Sequence, residues 1–251
     1  MRTPGEFHDW QFATAVAIRE ETPSVKTIAF TLPEWAGHLA GQHVDVRLTA
    51  EDGYQAERSY SVASAAEEPA RMEITVERIA VGEVSPFLTG EFRVGDTLEI
   101  RGPIGGYFTW RPATQAPLML VAGGSGVVPL MSMLRTRDRA ANRAPATLLC
   151  SSRNRDGIIY RAELDRLAAK NDGLKVTYTL TRESPAGWQG ETRRVDEGML
   201  KTYAISAERR PSIFVCGPTA FVETVAEHLL HLGHPEAAIK TERFGPTGET
   251  S

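Results

Sequence analysis

Leu118-Met119-Leu120-Val121-Ala122-Gly123-Gly124-Ser125-Gly126-Val127-Val128-Pro129 is the stretch on which the reading of this chain turns. Its first five residues are apolar without alternation, as in a strand covered on both faces. Glycines follow at once, and then a helical run to about Ala141. Strand, glycine turn and helix in that order open a parallel α/β sheet. Glycines at such a turn let backbone N–H groups approach a phosphate, and a helix start favours negative charge. The spacing differs from the common dinucleotide fingerprint, so a tight strand-to-helix connection also accounts for the turn taken alone.

Towards the C-terminus the alternation continues. Strands are expected at Ala146–Cys150, Val176–Leu180, Ile213–Cys216 and Ile239–Phe244, and helices at Arg161–Lys170, Val195–Tyr203 and Ala220–Leu232. The fourth strand ends in Cys216-Gly217-Pro218, a second turn aimed the same way as the first. Cys216 is either a thiol at a ligand-facing turn or a buried small hydrophobe, and Cys150 has the second character.

Towards the N-terminus the rhythm is short β runs: Phe12–Ile18, Thr27–Leu32, His43–Leu48, Arg58–Ser64, Met72–Ile79 and Thr97–Arg101. Turn chemistry separates them at Glu51-Asp52-Gly53, Glu67-Glu68-Pro69 and Val94-Gly95-Asp96, which predicts a small antiparallel barrel. One helix interrupts it, with Ser85 as N-cap and Pro86 at the first helical position. Gly82-Glu83-Val84-Ser85 leads into that helix and reads as a phosphate seat or as an ordinary capped helix. The expected domains are 8–110 and 114–251, a barrel followed by an α/β domain, with the boundary near Phe108–Ala116.

Composition bounds the rest. The chain has 251 residues, enough for two modest domains, and a formal net charge of −4, which exerts no global pull on nucleic acid or an anionic membrane. No apolar run is long enough to span a bilayer, and Met1–Glu6 lacks the apolar core of a secretory signal. Two cysteines give no disulfide framework, and the expected home is the cytoplasm.

In the barrel half, Arg58-Ser59-Tyr60-Ser61 combines a cation, an aromatic face and two hydroxyls on one strand. Arg58 and Tyr60 share one side and Ser59 and Ser61 the other. Such a set suits a flat conjugated ring that carries a pyrophosphate.

Taken together, in this order, these motifs resemble the ferredoxin–NADP⁺ reductase-like flavoprotein family, from about Phe12 to Pro246. Arg58–Ser61 match its Arg-x-Tyr-Ser motif, Thr75-Val76-Glu77 its second flavin segment and Gly82–Ser85 its pyrophosphate helix. Gly123–Pro129 match its Gly-Gly-x-Gly-x-x-Pro turn, and Cys216-Gly217-Pro218 its Cys-Gly-Pro turn. The resemblance implies a six-stranded antiparallel flavin barrel, then a five-stranded parallel sheet, with the flavin ring between the domains. It implies that Tyr60 stacks on the isoalloxazine, that Ser61 hydrogen-bonds its N5, and that Arg58 with Gly82, Glu83, Val84 and Ser85 holds the pyrophosphate of FAD. It implies further that Gly123, Gly124, Ser125, Gly126, Val127 and Pro129 receive the nicotinamide dinucleotide, with Cys216 near its reactive carbon. Glu242 and Phe244 match the Glu-x-Phe closing segment of bacterial members, beside the ring, although core packing also suits a terminal Phe. Ser61, Cys216, Glu242 and Phe244 are thus the candidate catalytic residues.

The implied activity is NAD(P)H-dependent reduction of bound FAD, with electrons passed to a separate acceptor: ferredoxin, flavodoxin or an oxygenase component. A reductase of diffusible flavin and a non-catalytic flavin-binding electron-transfer subunit are the alternatives. Two cysteines cannot ligate an iron–sulfur cluster alone, so none is expected. After the second α/β strand, Ser152-Arg153 stands where NAD-specific sheets often carry a carboxylate, so Arg153 or Arg155 offers a fork for the 2′-phosphate of NADPH. NADH use and a solvated loop remain the alternative there.

Two further patterns are assigned no ligand. His228-x-x-His231-x-x-His234 has no carboxylate or cysteine at a recognisable metal spacing and reads as a solvated helix end, so no metal site is expected. Arg135, Arg137, Arg139 and Arg143 read as the exposed side of an amphipathic helix.

Overall fold

A computed structural model describes residues 9–66 and 70–244. The turn expected at Glu67-Glu68-Pro69, the opening Met1–Glu6, the domain start at 8 and everything beyond Phe244, including Pro246, lie outside the described residues. The chain forms two compact units. One takes the chain up to Ala113 together with Met131–Ala141; the other takes Thr114–Leu130 and the chain from Asn142 on.

In the first unit, β1 (Gln11–Thr22), β2 (Val25–Thr31), β3 (His43–Thr49), β4 (Gln55–Ser61), β5 (Arg71–Glu77) and β6 (Thr97–Ile104) form one antiparallel sheet in the order β4-β3-β6-β1-β2-β5. The edge strands meet where Val62 bridges Ile74 and the Ala63 N–H donates to the Glu73 carbonyl at 2.7 Å. That meeting curls the sheet towards closure and protects edges that would otherwise template further pairing. Alternate residues of these strands point inward, and Ile28, Phe30, Val44, Ile74 and Ile100 are buried together. Helix α1 (Val84–Gly90) adds Val84 and Leu88 to this core.

The start of α1 differs from the sequence expectation. Glu83 is the N-cap residue and makes no side-chain cap bond, and Ser85 lies within the helix. The Ser85 hydroxyl accepts from the Ile79 N–H at 3.0 Å, tying the preceding loop. Burial of Val84 explains the shift, because placing that apolar side chain in the core draws the first turn two residues earlier than Ser-Pro alone suggests.

In the second unit, β7 (Leu118–Gly123), β8 (Ala146–Ser152), β9 (Leu174–Leu180), β10 (Ser212–Pro218) and β11 (Ile239–Phe244) form a parallel sheet in the order β11-β10-β7-β8-β9. Every residue of β7 is buried, as the unbroken apolar run requires of a central strand. Helices α2 (Val127–Arg139), α3 (Arg161–Ala168), α4 (Glu197–Tyr203) and α5 (Thr219–His231) provide the connections. Asp196 caps α4, its side chain accepting from the Met199 N–H at 2.7 Å. The strand order reverses between β7 and β10, which places a ligand crevice beyond their carboxyl ends.

The arginine run also departs from expectation. Arg137 is 2% exposed, and Arg135 Nη1 donates to the Ala63 carbonyl (2.8 Å) and to Glu73 Oε2 (3.0 Å). Arg139 and Arg143 alone are on the surface. Arg135 thus serves the first unit internally, and Arg137 is buried rather than solvated. The spacing missed this because an arginine stem packs as an apolar group when its head finds acceptors. Among the described residues no helix is long and apolar enough to cross a membrane.

Candidate functional site

The first unit carries the Arg58–Ser61 set at the end of β4. Arg58 is exposed and Tyr60 half-buried, and the guanidinium charge is felt at the phenol. Burial nevertheless pushes the Tyr60 hydroxyl up to about 12, so the ring stays neutral. Ser59 faces the other way and donates to Asp45 Oδ1 at 2.6 Å, inside a group completed by Arg101 Nη2 on Asp45 Oδ2 at 2.7 Å. Those bonds and the Arg101 charge hold the Asp45 carboxyl below the usual range, against the opposing effect of burial.

Ser61 is different. It is 6% exposed, and its hydroxyl oxygen is buried without a hydrogen-bond partner. Such an orphaned group is costly unless something else satisfies it. A ring nitrogen brought to the end of β4 would do so. The residues present therefore fit a flavin: an aromatic face, an unmet hydroxyl and an exposed guanidinium lie within four positions of one strand.

The remaining barrel candidates are more committed. Thr75 shares a 2.8 Å hydroxyl contact with Thr27, Val76 is in the core, and Glu77 is exposed. Gly82 closes a turn on the Ile79 carbonyl at 2.9 Å, and Glu83 accepts from the Tyr54 hydroxyl at 3.0 Å. Tyr54 was not anticipated from the sequence; it arrives from the hairpin between β3 and β4, which no local spacing reveals.

In the second unit the two glycine turns pack on one another. A Cβ on Gly126 would lie 2.1 Å from the Cys216 carbonyl oxygen, and one on Gly217 would lie 3.1 Å from the Gly123 Cα. Gly124 adopts φ +56°, a left-handed conformation that glycine reaches without cost, with open space around its Cα. Gly124–Gly126 form a single 3₁₀ turn between β7 and α2, with Ser125 half-buried and Val127 and Pro129 buried. A backbone-lined cradle thus sits at the switch point, as phosphate binding requires.

Cys216 is fully buried, and its Sγ lies 3.8 Å from Glu242 Oε2. Burial, with the Glu242 carboxylate beside it, pushes the thiol well above its ordinary value. The Glu242 carboxyl is itself raised to about 7 by burial, although the thiol hydrogen bond pulls the other way. Phe244 ends β11 in register with Pro218, and Glu242 is in register with Cys216. Parallel pairing of β10 and β11 therefore brings the Cys-Gly-Pro turn and the Glu-x-Phe segment together. Cys150 is also buried, its thiol pushed up to about 12.

At the end of β8, Ser152 is buried and its hydroxyl donates to the Asn154 carbonyl at 3.0 Å, while Arg153 and Arg155 in the loop beyond are exposed. The Arg153 carbonyl accepts from the N–H groups of Arg182 (2.9 Å) and Glu183 (3.1 Å), so the loop after β9 buttresses it. Arg182 was missed by sequence reasoning, because only the β8–β9 pairing brings it near.

The histidine triplet also divides differently from expectation. His234, beyond the end of α5 at His231, is buried at 4% exposure rather than solvated, whereas α4 supplies a carboxylate, Glu197, to His228 and His231.

Comparison with known proteins follows this division. Residues 13–109 match the oxidoreductase FAD-binding domain and residues 120–227 the oxidoreductase NAD-binding domain. The ferredoxin–NADP reductase B of Sorangium cellulosum is 35% identical over 92% of this chain and 96% of its own length. NADH-cytochrome b5 reductase 1 of Aspergillus terreus is 28% identical over 93% of this chain and 80% of its own. The FAD/NAD-binding domain of the Vibrio cholerae nitric oxide dioxygenase has the same fold, with a TM-score of 0.82 at 24% identity over 94% and 99% of the two chains.

Proposed function

The chain belongs to the ferredoxin–NADP⁺ reductase-like family of FAD- and NAD(P)-binding oxidoreductases, and on that premise we propose that it delivers electrons from NADPH to a separate redox protein, a ferredoxin, a flavodoxin or an oxygenase component. It is an FAD- and NAD(P)H-dependent enzyme that passes electrons onward. When bound, FAD supplies acceptance of a hydride from the nicotinamide and release of the electrons to the acceptor.

The chain's own residues do the positioning. Tyr60 presents a neutral aromatic face, Ser61 an unmet hydroxyl for a ring nitrogen, and Arg58 a cation for the pyrophosphate. Gly124–Gly126 receive the nucleotide phosphates on backbone N–H groups. Burial and the neighbouring Glu242 favour the neutral thiol at Cys216. Glu242, raised to about 7, is able to hold or release a proton at its carboxyl near neutral pH, with Phe244 two residues beyond it on the strand.

The observation that carries this reading is the buried, unpartnered Ser61 hydroxyl next to Tyr60 and Arg58. Anaerobic titration of the purified protein with NADPH tests it. A bound yellow chromophore should bleach with about one equivalent of NADPH and recover on addition of oxidised ferredoxin or flavodoxin. Protein that retains no flavin, or flavin that NADPH leaves oxidised, sinks the proposal. Arg58→Ala should weaken FAD retention by about tenfold or more. One observation favours a second reading, reduction of diffusible flavin: α1 has only seven residues and the Ser85 hydroxyl is tied to Ile79. Loss of all flavin on gel filtration, with turnover restored by added FAD or FMN, would select that reading.

A further inference from the structure

We infer that Glu197, His228 and His231 form a binding site for a zinc-class divalent ion that links α4 to α5. His228 and His231 lie three residues apart in the last turns of α5 and so share one helix face. Glu197 occupies the first turn of α4, directly after the cap residue Asp196. Its Oε2 is 3.6 Å from His231 Nδ1 and 4.0 Å from His228 Nδ1, and one ligand atom from each of the three lies within 4.8 Å of the others.

Tetrahedral coordination at ordinary Zn–N and Zn–O lengths separates ligand atoms by about 3.3 Å. The two separations from Glu197 exceed this, and Glu197 and His231 are the exposed side chains whose rotation would close the set on an ion. The helices beneath are fixed: Met199 and Leu200 of α4 and Val222, Val225 and Leu229 of α5 share one buried core. His228 Nδ1 is buried and lacks a hydrogen-bond partner, a vacancy that coordination fills.

The donor chemistry is selective. Two imidazoles and one carboxylate suit zinc and its first-row neighbours, whereas calcium and magnesium require more oxygen ligands. Asp196 adds negative charge near His228, though Arg193 Nε sits 2.8 Å from that carboxylate and tempers it. Three protein ligands leave the fourth position to water. The expected consequence is a staple between two helices of the nucleotide-binding unit.

Calorimetric titration of the flavin-loaded protein with Zn²⁺ alone tests this, with thermal melting alongside. One saturable equivalent should bind and raise the melting temperature, and Ca²⁺ should not substitute. Removing an outer-shell partner of a metal site already costs about tenfold or more in affinity, so His231→Ala and Glu197→Gln should each cost at least that. Both residues are exposed, so the variants should fold even if His228→Ala does not. Affinity should fall on acidification, since protons compete for imidazole. Absence of saturable zinc binding, equal binding by the variants, or equal binding of Ca²⁺ overturns the inference.

Discussion

Gly126 faces Cys216 so closely that the smallest side chain would stand 2.1 Å from the cysteine carbonyl oxygen. Neither partner has room to yield, since the contact is backbone against Cα at the carboxyl ends of adjacent strands β7 and β10. Gly126→Ala must therefore spread the two turns that line the switch-point crevice. Overpacking of this kind costs about 1–3 kcal/mol. The expected result is a lowered melting temperature together with weaker NADPH binding, measured by equilibrium titration. Gly124→Ala is the control: its Cα has open space, so only its left-handed backbone resists. Equal NADPH affinity in Gly126→Ala and wild type would remove the cradle from the binding site.

Glu242 couples the same turn to pH. Its folded value is about 7 against an ordinary 4.5, so between those limits the folded state holds more protons than the unfolded one. This contribution to stability is therefore fully present below pH 4.5 and is lost as pH rises through 7. Allowing for its partial exposure, the span is about 2 kcal/mol. Glu242→Gln cannot ionise and should lack the decline, so denaturant melts of the two proteins should converge at low pH and favour the variant above pH 7. Parallel curves at every pH would show that the carboxyl is already ionised when folded.

His38 works in the opposite sense within the first unit. It is fully buried, its Nε2 lies 3.2 Å from the Ser64 carbonyl, and the Ser132 hydroxyl is 3.5 Å from the same nitrogen. Burial lowers it to about 4, only partly offset by the bond to Ser64. The unfolded chain therefore binds the extra proton between pH 6.5 and about 4, and stability is lost as pH falls through that window, by about 3 kcal/mol. His38→Gln keeps a donor for the Ser64 carbonyl and should flatten that acid limb in chemical denaturation. An unchanged limb would assign the acid sensitivity to other groups.

What the sequence discloses here follows the range of the interaction. Gly123–Gly126 and Leu118–Ala122 are legible because a glycine turn and an unbroken apolar strand are local signatures. Ile239–Phe244 was delimited correctly for the same reason. Ser85 misled because Ser-Pro is a valid local cap signal that the burial of Val84 overrides. Arg137 misled because charge spacing does not show which arginine stems are covered. Glu197 was invisible as a partner of His228, since α4 and α5 meet only after β10 has crossed the sheet. The unpartnered state of the Ser61 hydroxyl is likewise a property of packing, although the residue type and position were readable.

The proposed preference for NADPH is tested at Arg153. Ser151 pairs in register with Gly123 and β8 ends at Ser152, so Arg153 opens the loop beside the glycine turn of the neighbouring strand. Its carbonyl is held by the N–H groups of Arg182 and Glu183, which fixes the backbone and leaves the guanidinium exposed. A second exposed guanidinium, Arg182, enters from the same buttress. A 2′-phosphate is a dianionic target for such a fork, whereas the ribose hydroxyl of NADH offers nothing for it to neutralise. Asp156 is exposed in the same loop and subtracts from the field without closing the approach. A charge-assisted bond of this kind is worth about 1.5–3 kcal/mol, hence roughly tenfold to a hundredfold in relative efficiency. Wild type should prefer NADPH, and Arg153→Ala should lower kcat/KM for NADPH by about that factor through KM, with NADH little changed. Arg182→Ala should show a smaller loss of the same kind, and raising the salt concentration should narrow the preference. Equal efficiencies with both nucleotides in wild type, untouched by either substitution, would remove the arginines from recognition and leave the loop as solvated surface.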